Sequence, residues 1–237
     1  FFLTVSACVF EGNGLGIRLG DSRPGHTGLD SGEDDVPAAT AVLAVNIKIE
    51  ACSFRSNRLA LHLARGQSAF VTGNTGSSNN AFARLVGGTA LFEGNSYDEE
   101  CSVVAVSAGG HAVLRQETIL ACGGRAILVG QAGTCDVTGC KLEHCTSKEG
   151  SVHVQGGGRL SFTDNDVIEC KSGVQVAGGT ATVLRSRFFG CARAIACEGM
   201  LTASNNDVYG GAIGISLGRG SSRSCTLSLL PPPLCLP

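Results

Sequence analysis

The chain has 237 residues, a net charge of −2 and no Trp. A near-neutral balance without a basic run excludes the positive stripe that phosphate neutralisation requires, so no nucleic-acid partner is expected. An apolar share of 43% excludes disorder over most of the length, and the chain has no run of about 20 apolar residues to form a membrane span.

In chain order, Phe1-Phe2-Leu3-Thr4-Val5 has the apolarity of a secretion signal. No basic residue precedes it, and Cys8 to Leu19 already fit the pattern that follows, so it reads as structure. The expectation is a piece that begins within a longer solenoid.

That pattern is a repeat of about 20–25 residues. It is clearest in a slot of apolar-x-apolar pairs: Ile17/Leu19, Leu61/Leu63, Ala83/Leu85, Val104/Val106, Ile127/Val129, Val152/Val154, Val174/Val176, Ile195/Cys197 and Ile215/Leu217. Glycine follows almost every pair. Two other segments complete the coil. One reads small-x-apolar, as in Ala112-Val113-Leu114, and ends at Asn74, Asn95, Gln116, Gly139, Asn165, Ser186 or Asn205. The other leads into a slot held by Asn57, Asn79, Cys101, Cys122, Cys145, Cys170 and Cys191. Period-two alternation over three to five residues is strand periodicity, and so much glycine opposes helical repeats. Asn and Gly suit tight left-handed corners, and a buried Asn stacked on another can satisfy its amide along the ladder. The reading is an all-β, single-stranded parallel β-helix over 1–218, with about nine coils and three short strands in each.

Two regions break the repeat. Residues 20–42 form an insertion after the third strand of the first coil, carrying Asp30, Glu33, Asp34 and Asp35. Residues 219–237 form a Pro- and Ser-rich tail, a cap or a disordered segment, whose Pro231-Pro232-Pro233 cannot join a ladder. No capping helix is evident. Open solenoid ends need cover, which predicts neighbouring sequence or a protein partner.

Residues 3–19 and 43–218 resemble the right-handed parallel β-helix repeats of the pectate-lyase-like superfamily. The likeness is greatest to the short regular repeats of the carbohydrate-binding and sugar-hydrolysis type, also found in some F-box proteins. The resemblance implies the fold and its handedness, and it is weak for activity, because that fold hosts lyases, glycosidases, esterases, adhesins and scaffolds. Lyases of the superfamily use acidic clusters for calcium with a Lys or Arg base, and its hydrolases use aspartates on adjacent coils. Here the acids are scattered, and only Asp164 and Asp166 alternate, at a corner where solvation of a turn is the simpler reading. With no Trp and two Tyr, Tyr97 and Tyr209, aromatic platforms for sugars are scarce.

The best surface constellation is Arg18, His62 and Arg84, the outward residues of successive third strands, with the acidic insertion leaving right after Arg18. It reads as a ligand surface or as a surface ion-pair network. Asp30 to Asp35 offer hard oxygens suited to Ca²⁺ but lack the spacing of an EF-hand loop, so no cofactor is expected. Cys135, Cys140 and Cys145 stand five apart, too far for a zinc knuckle. Stacked cysteines point the same way rather than at each other, which predicts free buried thiols and an intracellular, reducing compartment, with secretion as the alternative. The leading expectation is a non-catalytic scaffold or recognition module for a protein partner in a larger assembly. The alternative is a carbohydrate-active enzyme or a binder of polysaccharide. A substrate-recruiting domain of a ubiquitin ligase stands third and would need a helical F-box segment upstream.

Overall fold

The computed structural model describes residues 2–20 and 46–218. All of the predicted insertion beyond Gly20, with Asp30, Glu33, Asp34 and Asp35, lies outside the described residues, as does the tail 219–237.

Each coil contributes one strand to each of three parallel sheets, and each sheet holds nine strands among the described residues. The first sheet runs from Phe2–Ser6 to Met200–Ser204, the second from Val9–Glu11 to Asp207–Tyr209, and the third from Ile17–Leu19 to Ile213–Leu217. Alternation decides which side chains turn inward. In Asn46–Glu50, Ile47 and Ile49 are buried while Asn46, Lys48 and Glu50 face outward. Each sheet is thus apolar on its inner face, and the three inner faces enclose one core.

Register advances by 20 to 25 residues per coil, as in Met200 opposite Thr180 and Arg159 opposite Thr134. The first step is larger: Phe2 pairs with Asn46, and every pair through Ser6 and Glu50 stays in line. The first and second coils are therefore in register although their paired residues stand 44 apart in sequence.

The first two corners of a coil share one construction. A residue of positive φ is followed by a residue whose side chain turns inward. At the first corner the positive-φ position is held by Ala51, Gly73, Gly94, Gln116, Gly139, Asp164, Arg185 and Asn205, among others. The inward position belongs to Cys52, Asn74, Asn95, Glu117, Cys140, Asn165, Ser186 and Asn206. Here the sequence reading is corrected. Gln116, Gly139 and Asn205 are corner residues, and Glu117, Cys140 and Asn206 hold the inward slot. The Asn74 backbone N–H and Nδ2 donate to Asn95 Oδ1 at 2.8 and 2.9 Å, and Asn95 Nδ2 donates to both carboxyl oxygens of Glu117 at 3.1 Å. Each amide also donates to the carbonyl of the preceding coil, as Asn95 does to Val71. The ladder thus pairs polar groups whose burial alone would cost about 1–3 kcal/mol each.

The second corner is corrected at one position. Asn57 donates to Asn79, and Asn79 Nδ2 donates to Glu100 Oε1 at 2.6 Å. Glu100 is fully buried and Cys101 is exposed, so the slot runs Asn57, Asn79, Glu100, Cys122, Cys145, Cys170, Cys191. Cys101 sits one residue beyond it. From Cys122 onward, thiols replace amides: Cys170 Sγ donates to Leu142 and Ile168 carbonyls, and Cys191 Sγ to Val167 at 3.4 Å. Burial pushes the Cys122 and Cys140 thiols up to about 12. No disulfide joins the nine described cysteines from Cys8 to Cys191.

Glu100 lies beside an aromatic cluster. Phe82 packs edge-on against Phe54 and Tyr97, with ring centroids 5.3 and 4.7 Å apart. Gly76 makes this fit: a Cβ there would stand 2.6 Å from Glu100 Oε1 and 2.9 Å from the Phe82 ring. The Tyr97 hydroxyl and Glu100 Oε2 are buried without a hydrogen-bond partner. Burial raises Glu100 to about 8 and Glu117 to about 7, so both carboxyls are protonated in the fold at mildly acidic pH.

Two predictions follow from the ladders. Because the folded pKa values exceed the ordinary 4.5, the favourable contribution of both glutamates is complete below pH 4.5. It is lost as pH rises, by about 1.4 kcal/mol per unit and group, until about 7 for Glu117 and about 8 for Glu100. Urea melts from pH 4 to 9 are expected to show this slope in the wild type and a shallower one in Glu100→Gln/Glu117→Gln; equal slopes would refute it. Second, thiol titration of the native protein is expected to lose one fast-reacting equivalent in Cys101→Ser and none in Cys145→Ser.

Candidate functional site

The third sheet aligns the predicted row. Arg18 pairs with His62, and His62 pairs with Arg84. The outward column then runs through Ala105, Leu128, His153, Gln175, Ala196 and Ser216. His62 is half-buried between two exposed arginines. Burial lowers its pKa first, and the flanking Arg18 and Arg84 charges lower it further. The row therefore presents two guanidinium groups around a neutral imidazole, a donor surface for anionic or carbonyl groups. Asp30, Glu33, Asp34 and Asp35, the acids expected to face it, lie outside the described residues.

The outer face of the first sheet carries features that sequence reasoning missed. Its central outward column reads Lys48, Phe70, Leu91, Val113, Asp136, Ser161, Thr182 and Thr202 in register. Phe70, 44% exposed, lies with Leu91 and Val113 along a shallow depression of about 420 Å³. His111, beside Val113, contacts Asp136 on the next strand, Nε2 to Oδ2 at 2.9 Å. An imidazole oriented by a carboxylate is half of an acid–base device. In the central column, the first hydroxyl beyond Asp136 is Ser161, which pairs with Asp136 and lies two strands from His111. Two strand spacings are about 9.6 Å, beyond hydrogen-bond reach, so these residues do not form a nucleophile–base–acid chain. The signal for the column was present: Phe70 is the central, outward residue of Ser68-Ala69-Phe70-Val71-Thr72.

The alternating acids of the sequence are neutralised. Arg185 clamps Asp164 with two bonds of 2.8 Å, and Arg187 holds Asp166 through Nε and Nη2. The Arg185 bond keeps Asp164 below the usual carboxylate range. These exposed pairs staple adjacent coils and leave no free acid pair there for sugar chemistry. On the second sheet, Phe189 and Tyr209 form an exposed pair with centroids 5.3 Å apart, while Tyr97 is fully buried.

The three-sheet winding, the in-register corner ladders and the parallel pairing throughout define a parallel β-helix. A family model described as right handed beta helix region matches residues 2–188 and, again, 86–228. The chain belongs to that family, and its coils wind right-handed as the pectate-lyase-like resemblance implied. No curated protein matches it, and no solved structure does. No helix among the described residues is long and apolar enough to cross a membrane.

The His62 environment is directly measurable. In Arg84→Ala the His62 pKa is expected to rise towards its ordinary 6.5 without reaching it, since burial remains. NMR titration of the imidazole protons checks this, and a fall or no change would refute the charge coupling.

Proposed function

We propose that the protein is a non-catalytic recognition module that presents the outer face of its first sheet to a protein partner within a larger assembly. The observation that carries this reading is the outward, in-register apolar column of exposed Phe70 and half-buried Leu91 and Val113, bordered by Ser68, Thr89 and His111. Solvent-facing apolar columns on a flat sheet are costly to leave wet and suit an interface core with a polar rim. The Arg-clamped state of Asp164 and Asp166 supports the same reading, because it gives those carboxylates a structural task. The free, buried thiols favour a reducing compartment as the place of action.

One observation favours the second reading, a glycan binder of the pectate-lyase-like kind. The exposed Phe189–Tyr209 pair offers a tilted aromatic surface on which a sugar ring can stack.

A pull-down compared between wild type, Phe70→Ser and Tyr209→Ala separates the two. The recognition reading expects one stoichiometric protein, retained by Tyr209→Ala and weakened about tenfold or more by Phe70→Ser. A polysaccharide panel bound by wild type and lost in Tyr209→Ala, with no protein captured, would favour the glycan reading and sink the first.

A further inference from the structure

The corner between the second and third sheets is enlarged at one coil. Six residues, 146–151, separate Cys145 from Val152, whereas three separate Cys170 from Val174. The extra length belongs to the coil of 25 residues, in which Thr134 pairs with Arg159. It carries Lys148 outward, over the corner of the following coils. There Lys148, Lys171, Ser172, Ala192, Arg193 and Ile213 line a depression of about 380 Å³.

Three cations of this depression have no acidic partner among the described residues. None of Lys148, Lys171 and Arg193 takes part in an ion pair among the described residues. Glu149, next to Lys148, is engaged instead by Arg125 one coil earlier. The contrast matters, because Arg185 and Arg187 each find an aspartate on the coil before them.

Two buried polar atoms point to the same place. Ser172, 2% exposed, keeps its Oγ without a hydrogen bond, and the Arg193 Nε is buried without one. Ser172 and Arg193 are register partners on adjacent strands. An unpaired buried donor is costly, and here two donors stand side by side beneath a cluster of positive charge.

We propose that this corner is a binding site for a phosphate-class dianion, carried on a phosphorylated side chain or free. The guanidinium of Arg193 supplies a planar fork, Ser172 a hydroxyl donor, and Lys148 and Lys171 the outer charges. Three cations match a dianion better than they match a single carboxylate. The site lies apart from the recognition face of the first sheet, and its test needs no protein partner, so the two proposals fail separately.

The test is a calorimetric titration of the full chain at low salt with inorganic phosphate, a phosphoseryl peptide and the same peptide unphosphorylated. Saturable binding of phosphate or phosphopeptide, with the unphosphorylated peptide silent, is expected. Tighter binding of the phosphopeptide assigns the phosphorylated chain as the source, and equal or tighter binding of inorganic phosphate assigns the free ion. Arg193→Met is expected to weaken binding about tenfold or more. Ser172→Ala, which removes an unpaired hydroxyl, is expected to weaken it a few-fold while far-ultraviolet dichroism stays unchanged. Should Arg193→Met fail to fold, Lys148→Ala/Lys171→Ala tests the same site from exposed positions. No saturable binding, or binding insensitive to these variants, would overturn the proposal.

Discussion

The interior of this molecule depends on one constraint: at each of two corners per coil a side chain must turn inward, and its polar atoms must be answered by the coils above and below. Asn74 and Asn95 show the simplest solution, an amide that accepts from one coil and donates to another. Glu100, Glu117 and the thiols from Cys122 to Cys191 are variants of it, each placing a donor or acceptor where the amide would put one. A carboxyl is tolerated there most readily at mildly acidic pH, where burial keeps it protonated and it acts as an acid in an amide's position. Strand pairing holds the sheets, but the corner columns fix which residue of the next coil stacks on which.

This explains what was legible in the sequence. The apolar pairs of the third sheet fall in register as read, from Ile17 and Leu19 through Ile215 and Leu217, because alternation and glycine spacing mark them twice. The outward row of Arg18, His62 and Arg84 came with them, since fixing the inner residues of a strand fixes the outer one. The corners were less legible. Glu100 was passed over for Cys101, and Glu117 for Gln116, because an acidic residue reads as surface when its protonation state is unknown. The outward Phe70 and Phe189 were missed for the opposite reason: phenylalanine reads as core, and only the register tells which face of a strand it occupies.

The surfaces differ although the interior repeats. The first sheet changes along its length from the apolar column at Phe70 to the hydroxyl-bearing stretch at Ser161, Thr182 and Thr202. The second sheet ends in the aromatic pair of Phe189 and Tyr209. The corner beyond Cys145 gathers positive charge on an enlarged turn. A family fold that hosts many activities leaves function to such local departures in its outward residues.

The 44-residue step between Phe2 and Asn46 leaves the pairing of every residue from Phe2 to Ser6 undisturbed. A frame that absorbs a detour of that size without slipping is modular in the engineering sense. New peptide can be grafted at a bend, or a whole turn removed, and only the two adjoining turns register the change. Such a molecule can gain or lose recognition elements by editing its bends while its central axis stays as it was.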